Sequence, residues 1–79
     1  MLNSVLIEGI AITGPRNKGQ ELVEFKIRHS ETLILYAFAK GSLGLECLRF
    51  LQKGMKVRIV GSLCSKGLQM SYVEFDCKD

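Results

Sequence analysis

The chain has 79 residues, 47% apolar and 24% charged, with a net charge of +3; this describes one folded domain spanning 1–79 and excludes a disordered tail. No apolar run approaches the roughly 18 to 20 residues that span a bilayer. One histidine and three cysteines without CxxC spacing give neither a zinc site nor a disulfide framework, and the mild positive excess favours an anionic partner.

Residues 3–12, NSVLIEGIAI, read as a first strand in which Gly9 suits a bulge or a sharp bend. No signal peptide is expected, since Glu8 interrupts the apolar run that follows Met1. The turn-rich GPRNKGQ carries Arg16 and Lys18, which either flank one end of a binding groove or solvate a turn. Residues 21–29 alternate: Val23, Phe25 and Ile27 form one face, and Glu24, Lys26 and Arg28 the other. A tight turn from His29 to Thr32 leads into a third strand. There Leu33, Leu35 and Ala37 point one way, and Thr32, Ile34, Tyr36 and Phe38 the other.

The run GSLGLECLRFLQKG changes period. Gly44, Cys47, Leu48 and Leu51 fall at i, i+3, i+4 and i+7, with Glu46, Arg49 and Lys53 opposite, which predicts a short amphipathic helix. Ser42 is its expected N-cap and Gly54 its expected stop. MKVRIVGSL returns to period two, with Val57, Ile59 and Leu63 inward and Lys56, Arg58 and Ser62 outward. In the last strand, LQMSYVEFDC, the alternating Leu68, Met70 and Tyr72 give way to Val73 and Phe75 of opposite parity. Either the facing switches near Tyr72 or a partner covers that surface. Cys47 belongs to the helix stripe, and Cys64 and Cys77 to strand surfaces.

A helix between the third and fourth of five strands is the signature of an all-β, five-stranded OB-fold barrel. On such a barrel the outward residues decide the chemistry. Tyr36 and Phe38 are flat rings for stacking bases, and Lys26, Arg28, Lys40, Lys56, Arg58, Arg16 and Lys18 are cations for phosphates. No nucleophile–base pair, metal-ligand cluster or phosphate loop is present in the sequence, so neither an enzyme nor a cofactor site is expected.

Several motifs also carry a family resemblance. Phe38-Ala-Lys40 is similar to the Phe-Gly-Lys that follows the third strand of bacterial single-stranded DNA-binding proteins (SSB). Phe50-Leu51-Gln52-Lys53-Gly54, followed by Val57, Ile59, Gly61 and Leu63, resembles their Tyr-Leu-x-Lys-Gly and V-x-I-x-G-x-L. Leu2 to Gly9 resembles their opening strand, and Gly14-Pro15 and Phe25 stand where the family has Asp-Pro and a core residue. The resemblance implies an OB-fold that binds single-stranded DNA without sequence preference, with Phe38 stacking on bases. It also implies a homodimer whose first strands pair across a two-fold axis through Asn3, Ser4, Val5, Leu6, Ile7 and Glu8.

The departures from the family shape the expectation. The chain has no tryptophan, and Thr32 stands where one groove tryptophan of the family would be. The long arms that wrap DNA are reduced to tight turns, and an acidic, hydrophobic tail is not read. The missing tail is shared with the primosomal replication protein N (PriB) family, which also resembles SSB and whose dimers bind single strands and a restart helicase. The expected role is therefore in replication, recombination or restart, in a bacterial cytoplasm at the nucleoid, with replication or restart proteins as partners. Two rivals stand beside it: a protein-interaction OB module without nucleic-acid binding, and an RNA-binding OB module.

Overall fold

The computed structural model describes residues 4–76. Its elements are β1 (Val5–Ala11), β2 (Arg16–Asn17), β3 (Leu22–Arg28), β4 (Ile34–Lys40), α1 (Gly41–Phe50), β5 (Lys56–Cys64) and β6 (Gly67–Asp76). The sheet order β1-β5-β6-β4-β3-β2 is closed by a further β1–β3 pairing. Five long strands thus make a closed barrel, the OB-fold expected from the element order. The two-residue β2 is an addition inside the turn-rich connection, where Arg16 and Asn17 pair with Glu24 and Val23.

Strict alternation makes β3 the floor of the core: Val23, Phe25 and Ile27 are buried. They meet Ala37 and Ala39 of β4, Val57 and Ile59 of β5, and Leu68 and Met70 of β6 in one cluster. Each large side chain removed from water in this way contributes about 1.5–3 kcal/mol. The helix closes one end of the barrel with Gly44 and Cys47. Burial, with Glu46 nearby, pushes the Cys47 thiol up to about 11, so it stays protonated at neutral pH. Cys64 is exposed, whereas Cys77 lies outside the described residues.

A close backbone approach and a bulge bend the barrel. A side chain at Gly9 would bring its Cβ to 2.5 Å from the carbonyl oxygen of Arg28, where β1 leaves its outer course to pair with β3. The β1–β5 register runs unbroken from Val5 to Ile10, so Gly9 serves the bend and not a bulge. The bulge falls in β6, where Val60 pairs with Tyr72 but Gly61 with Met70, leaving Ser71 as the extra residue. Its hydroxyl donates to the Val60 carbonyl at 3.1 Å. Leu68 and Met70 face inward before the bulge, and Val73 after it, while Tyr72 is turned out. Of the two explanations open for this strand, the switch of facing is the one the backbone adopts.

Five sequence expectations are corrected. β4 runs into α1 without a linker, so Lys40 is the N-cap and makes no side-chain cap bond; Ser42 lies inside the first turn. The helix ends at Phe50, before Gly54. Leu51 is already extended yet buried, its N–H bonded to the Cys47 carbonyl at 2.9 Å. Leu48 lies at the edge of the inward stripe and is exposed, because Leu51 completes that stripe from outside the helix. Leu33 precedes β4, and Leu63 sits near the end of the β5–β6 hairpin; both are exposed instead of inward because the core does not extend that far.

Candidate nucleic-acid interface

Cross-strand register assembles the outer surface, since directly opposed residues share a face. Tyr36 lies opposite Lys26, and Phe38 lies between Glu24 on β3 and Gln69 on β6. The Lys26 Nζ stands 5.2 Å from the centre of the Tyr36 ring, a cation–π contact that sets charge beside a ring still 44% exposed. Phe38 is half-buried. Thr13, Arg16, Glu24, Lys26 and Tyr36 line a shallow depression of about 130 Å³ with Phe25 at its base. The Thr13 hydroxyl accepts from the Lys26 N–H at 3.0 Å and ties the connecting segment to this rim.

The other sequence-predicted cations divide. Arg28 continues the Lys26 row at the end of β3, and Lys40 lies exposed at the far end of β4, opposite Leu22. Lys18 is turned to Glu24 at 3.8 Å, a loose exposed pair of little energetic weight. Lys56 is brought to Arg28 through Ile10, which pairs with both.

Arg58 is set apart. Its Nε donates to Glu8 at 2.7 Å and its Nη1 to Glu74 at 3.0 Å, while the Tyr72 hydroxyl donates to Glu74 at 2.8 Å. The hydrogen bond and charge of Arg58 hold the Glu8 carboxyl below its usual range, and Glu8 in turn raises Arg58. The hydrogen bond to Glu74 raises Tyr72. This pairing is present above the ordinary carboxylate range and is lost as pH falls through the lowered Glu8 value. Ser62, the nearest β5 neighbour of Gln69, is about 13 Å along the strand from Arg58, so the cluster is not part of the aromatic row. Glu8, Arg58 and Glu74 are far apart in the chain, and outward parity was the one sign of their meeting.

The expected dimer residues lie on an open edge, apart from Asn3, which is outside the described residues. One side of β1 pairs with β5 from Val5 to Ile10, whereas the other side pairs with β3 only at Ile10 and Ala11. The His29 Nδ1–H donates to the Glu8 carbonyl at 2.8 Å on that second side, closing the edge at Glu8. Residues two apart point alike, so the Leu6 N–H and C=O also face outward along the open edge.

The chain has the fold of the single-stranded DNA-binding proteins. The SSB domain of a Synechococcus sp. protein superposes with a TM-score of 0.82 at 16% identity, covering 94% of this chain and 96% of that one. The second SSB of Mycobacterium smegmatis gives 0.76 at 24% identity, over 94% and 88%. A similar barrel forms part of TiaS, solved with tRNA, with a TM-score of 0.80 at 17% identity over 91% of this chain and 18% of that one. No protein-family model matches the chain, and no curated protein is similar to it at a significant level. Among the described residues, no helix is long and apolar enough to cross a membrane.

Proposed function

We propose that the chain is a non-catalytic single-stranded DNA-binding protein that reads its ligand on the outer face of β3 and β4. The observation that carries this is the interleaving of Tyr36 and Phe38 with Lys26 and Arg28 on one exposed face. Rings stack on bases of any identity and cations follow the phosphates, which is what binding without sequence preference requires. The reading extends to a homodimer through the open β1 edge and to a role in bacterial replication, recombination or restart, in the cytoplasm at the nucleoid, alongside replication or restart proteins. Arg58 has no part in it, because two carboxylates already neutralise its charge.

Fluorescence anisotropy with labelled dT oligonucleotides of increasing length tests this. Affinity is expected to rise with length to a plateau and to fall with salt. Lys26→Ala should flatten the salt dependence by about 0.7 in log–log slope, the value of one phosphate contact on a single strand. Arg58→Ala should leave the slope unchanged. Tighter binding to RNA than to DNA would transfer the site to the RNA-binding rival. No single-strand binding at low salt and micromolar protein would overturn the reading. It would favour the protein-interaction rival, for which the row Leu6–Val60–Tyr72 on β1, β5 and β6, exposed at Leu6 and Tyr72 and half-buried at Val60, is the supporting surface.

The dimer has its own test. A proline at position 6 removes an N–H that faces the open edge and leaves the β1–β5 ladder intact. Leu6→Pro is expected to halve the solution mass while the barrel stays folded. A dimer surviving this change does not use the β1 edge.

A further inference from the structure

We propose that the bound strand does not end at the β3–β4 face but continues round the barrel, over the bend of β1, to a second group of cations at the α1–β5 turn. This rests on the nucleic-acid reading above and adds Arg49, Lys53, Ile10 and Ile34 to it. Register draws the path. Ile34 of β4 lies opposite Arg28 of β3, Arg28 opposite Ile10 of β1, and Ile10 opposite Lys56 of β5. All four are exposed, so they form one continuous row in which apolar and cationic side chains alternate. Arg28 and Lys56 stand two inter-strand spacings apart, about 10 Å, with Ile10 between them. The row lies beside the Tyr36–Lys26 pair, so a strand leaving that pair meets it directly.

Beyond Lys56 the path reaches the turn that follows α1. Backbone bonds from Gly54 N–H to the Ala11 carbonyl at 2.7 Å, and from Ala11 N–H to the Met55 carbonyl at 2.9 Å, fix this turn against β1. Arg49, Phe50, Lys53 and Met55 line an open depression of about 460 Å³ there. The Arg49 guanidinium lies 5.9 Å from the centre of the Phe50 ring, and that ring packs on Phe75 at 6.1 Å. The cation is therefore held over an aromatic platform. Among the residues whose side chains are described, Arg49 and Lys53 have no carboxylate within ion-pair distance. On the opposite flank, the Glu8–Arg58–Glu74 cluster, with two carboxylates to one guanidinium, bounds the row with acidic residues. Negative charge there turns an anionic strand towards Lys53 and Arg49.

The experiment compares the intact protein with Arg49→Ala/Lys53→Ala and with Lys53→Glu, using dT oligonucleotides from lengths that fill only the Tyr36–Phe38 face upward. Both positions are solvent-facing, and circular dichroism checks the fold. Short oligonucleotides are expected to bind all three proteins alike. Long ones are expected to bind the intact protein more tightly, with the double variant losing that gain and about 1.4 of log–log salt slope, two phosphate contacts' worth. Equal binding by variant and intact protein at every length would overturn the extended path and leave the β3–β4 site standing. An equal loss at every length would also overturn it, assigning the two cations to general charge attraction. Failure of the intact protein to bind any single strand would remove both readings.

Discussion

The Tyr36→Ala/Phe38→Ala double variant is expected to lose single-strand binding by about 2–6 kcal/mol, at about 1–3 kcal/mol per stacked base, while keeping its barrel. A tenfold change is about 1.4 kcal/mol, so the lower end is already more than a factor of ten. The fold should survive because both rings stand on the outer face of β4: Tyr36 is largely exposed, and Phe38 is half-buried against strand neighbours and not in the core. The informative part is the salt dependence. Stacking does not release counterions, so the double variant should bind weakly with nearly the slope of the intact protein. Lys26→Ala should do the reverse, losing slope with a modest loss of affinity. The two changes are not additive, because Lys26 lies on the Tyr36 ring and each supports the other. Anisotropy at three salt concentrations, with thermal melts of each variant, checks all of this. Unaltered affinity in a folded double variant would place the ligand elsewhere on the barrel.

The fold was legible because its signals are local. Period-two alternation in β3, the return to it at Val57, and the apolar stripe of Gly44 and Cys47 each state their own geometry within a few residues. Tyr36, Phe38, Lys26 and Arg28 were legible for the same reason, since one hairpin with a tight turn sets their parity. What escaped depends on register between strands distant in sequence. Glu8 meets Arg58 at a separation of 50 residues, and no local pattern announces that the outward arginine is already paired. Lys56 comes near Arg28 only because β1 bends at Gly9 and pairs with both β3 and β5. Helix ends escaped for another reason. Tertiary burial of Leu51, and the direct run of β4 into α1, decided them over the capping preferences of Ser42 and Gly54.

The switch of facing in the last strand rests on one contact that a single methyl group tests. Gly61 is buried opposite Met70 where β5 and β6 slip by a residue, and a Cβ there would press into the backbone of Gln69 and Met70. The obstacle is a neighbouring strand, so no rotamer change relieves it; either the strands part or the bulge moves. Gly61→Ala is therefore expected to cost about 3 kcal/mol, at the upper end for inserting one carbon into a packed core. The larger consequence is geometric. Leu68 and Met70 on one side of Ser71, and Val73 on the other, all reach the core only because the extra residue changes parity between them. Sliding the register by one residue would turn one set to solvent. Urea unfolding should show a lower midpoint with a smaller m-value if the bulge loosens in the folded state, and an unchanged m-value if only stability is lost. Ser71→Ala is the companion measurement: it removes the hydroxyl donated to Val60 but keeps the residue count, and should cost about 0.5–1.5 kcal/mol. A Gly61→Ala protein as stable as the original would mean that β5 and β6 are not held together at that point. The buried positions of the last strand would then need another cause.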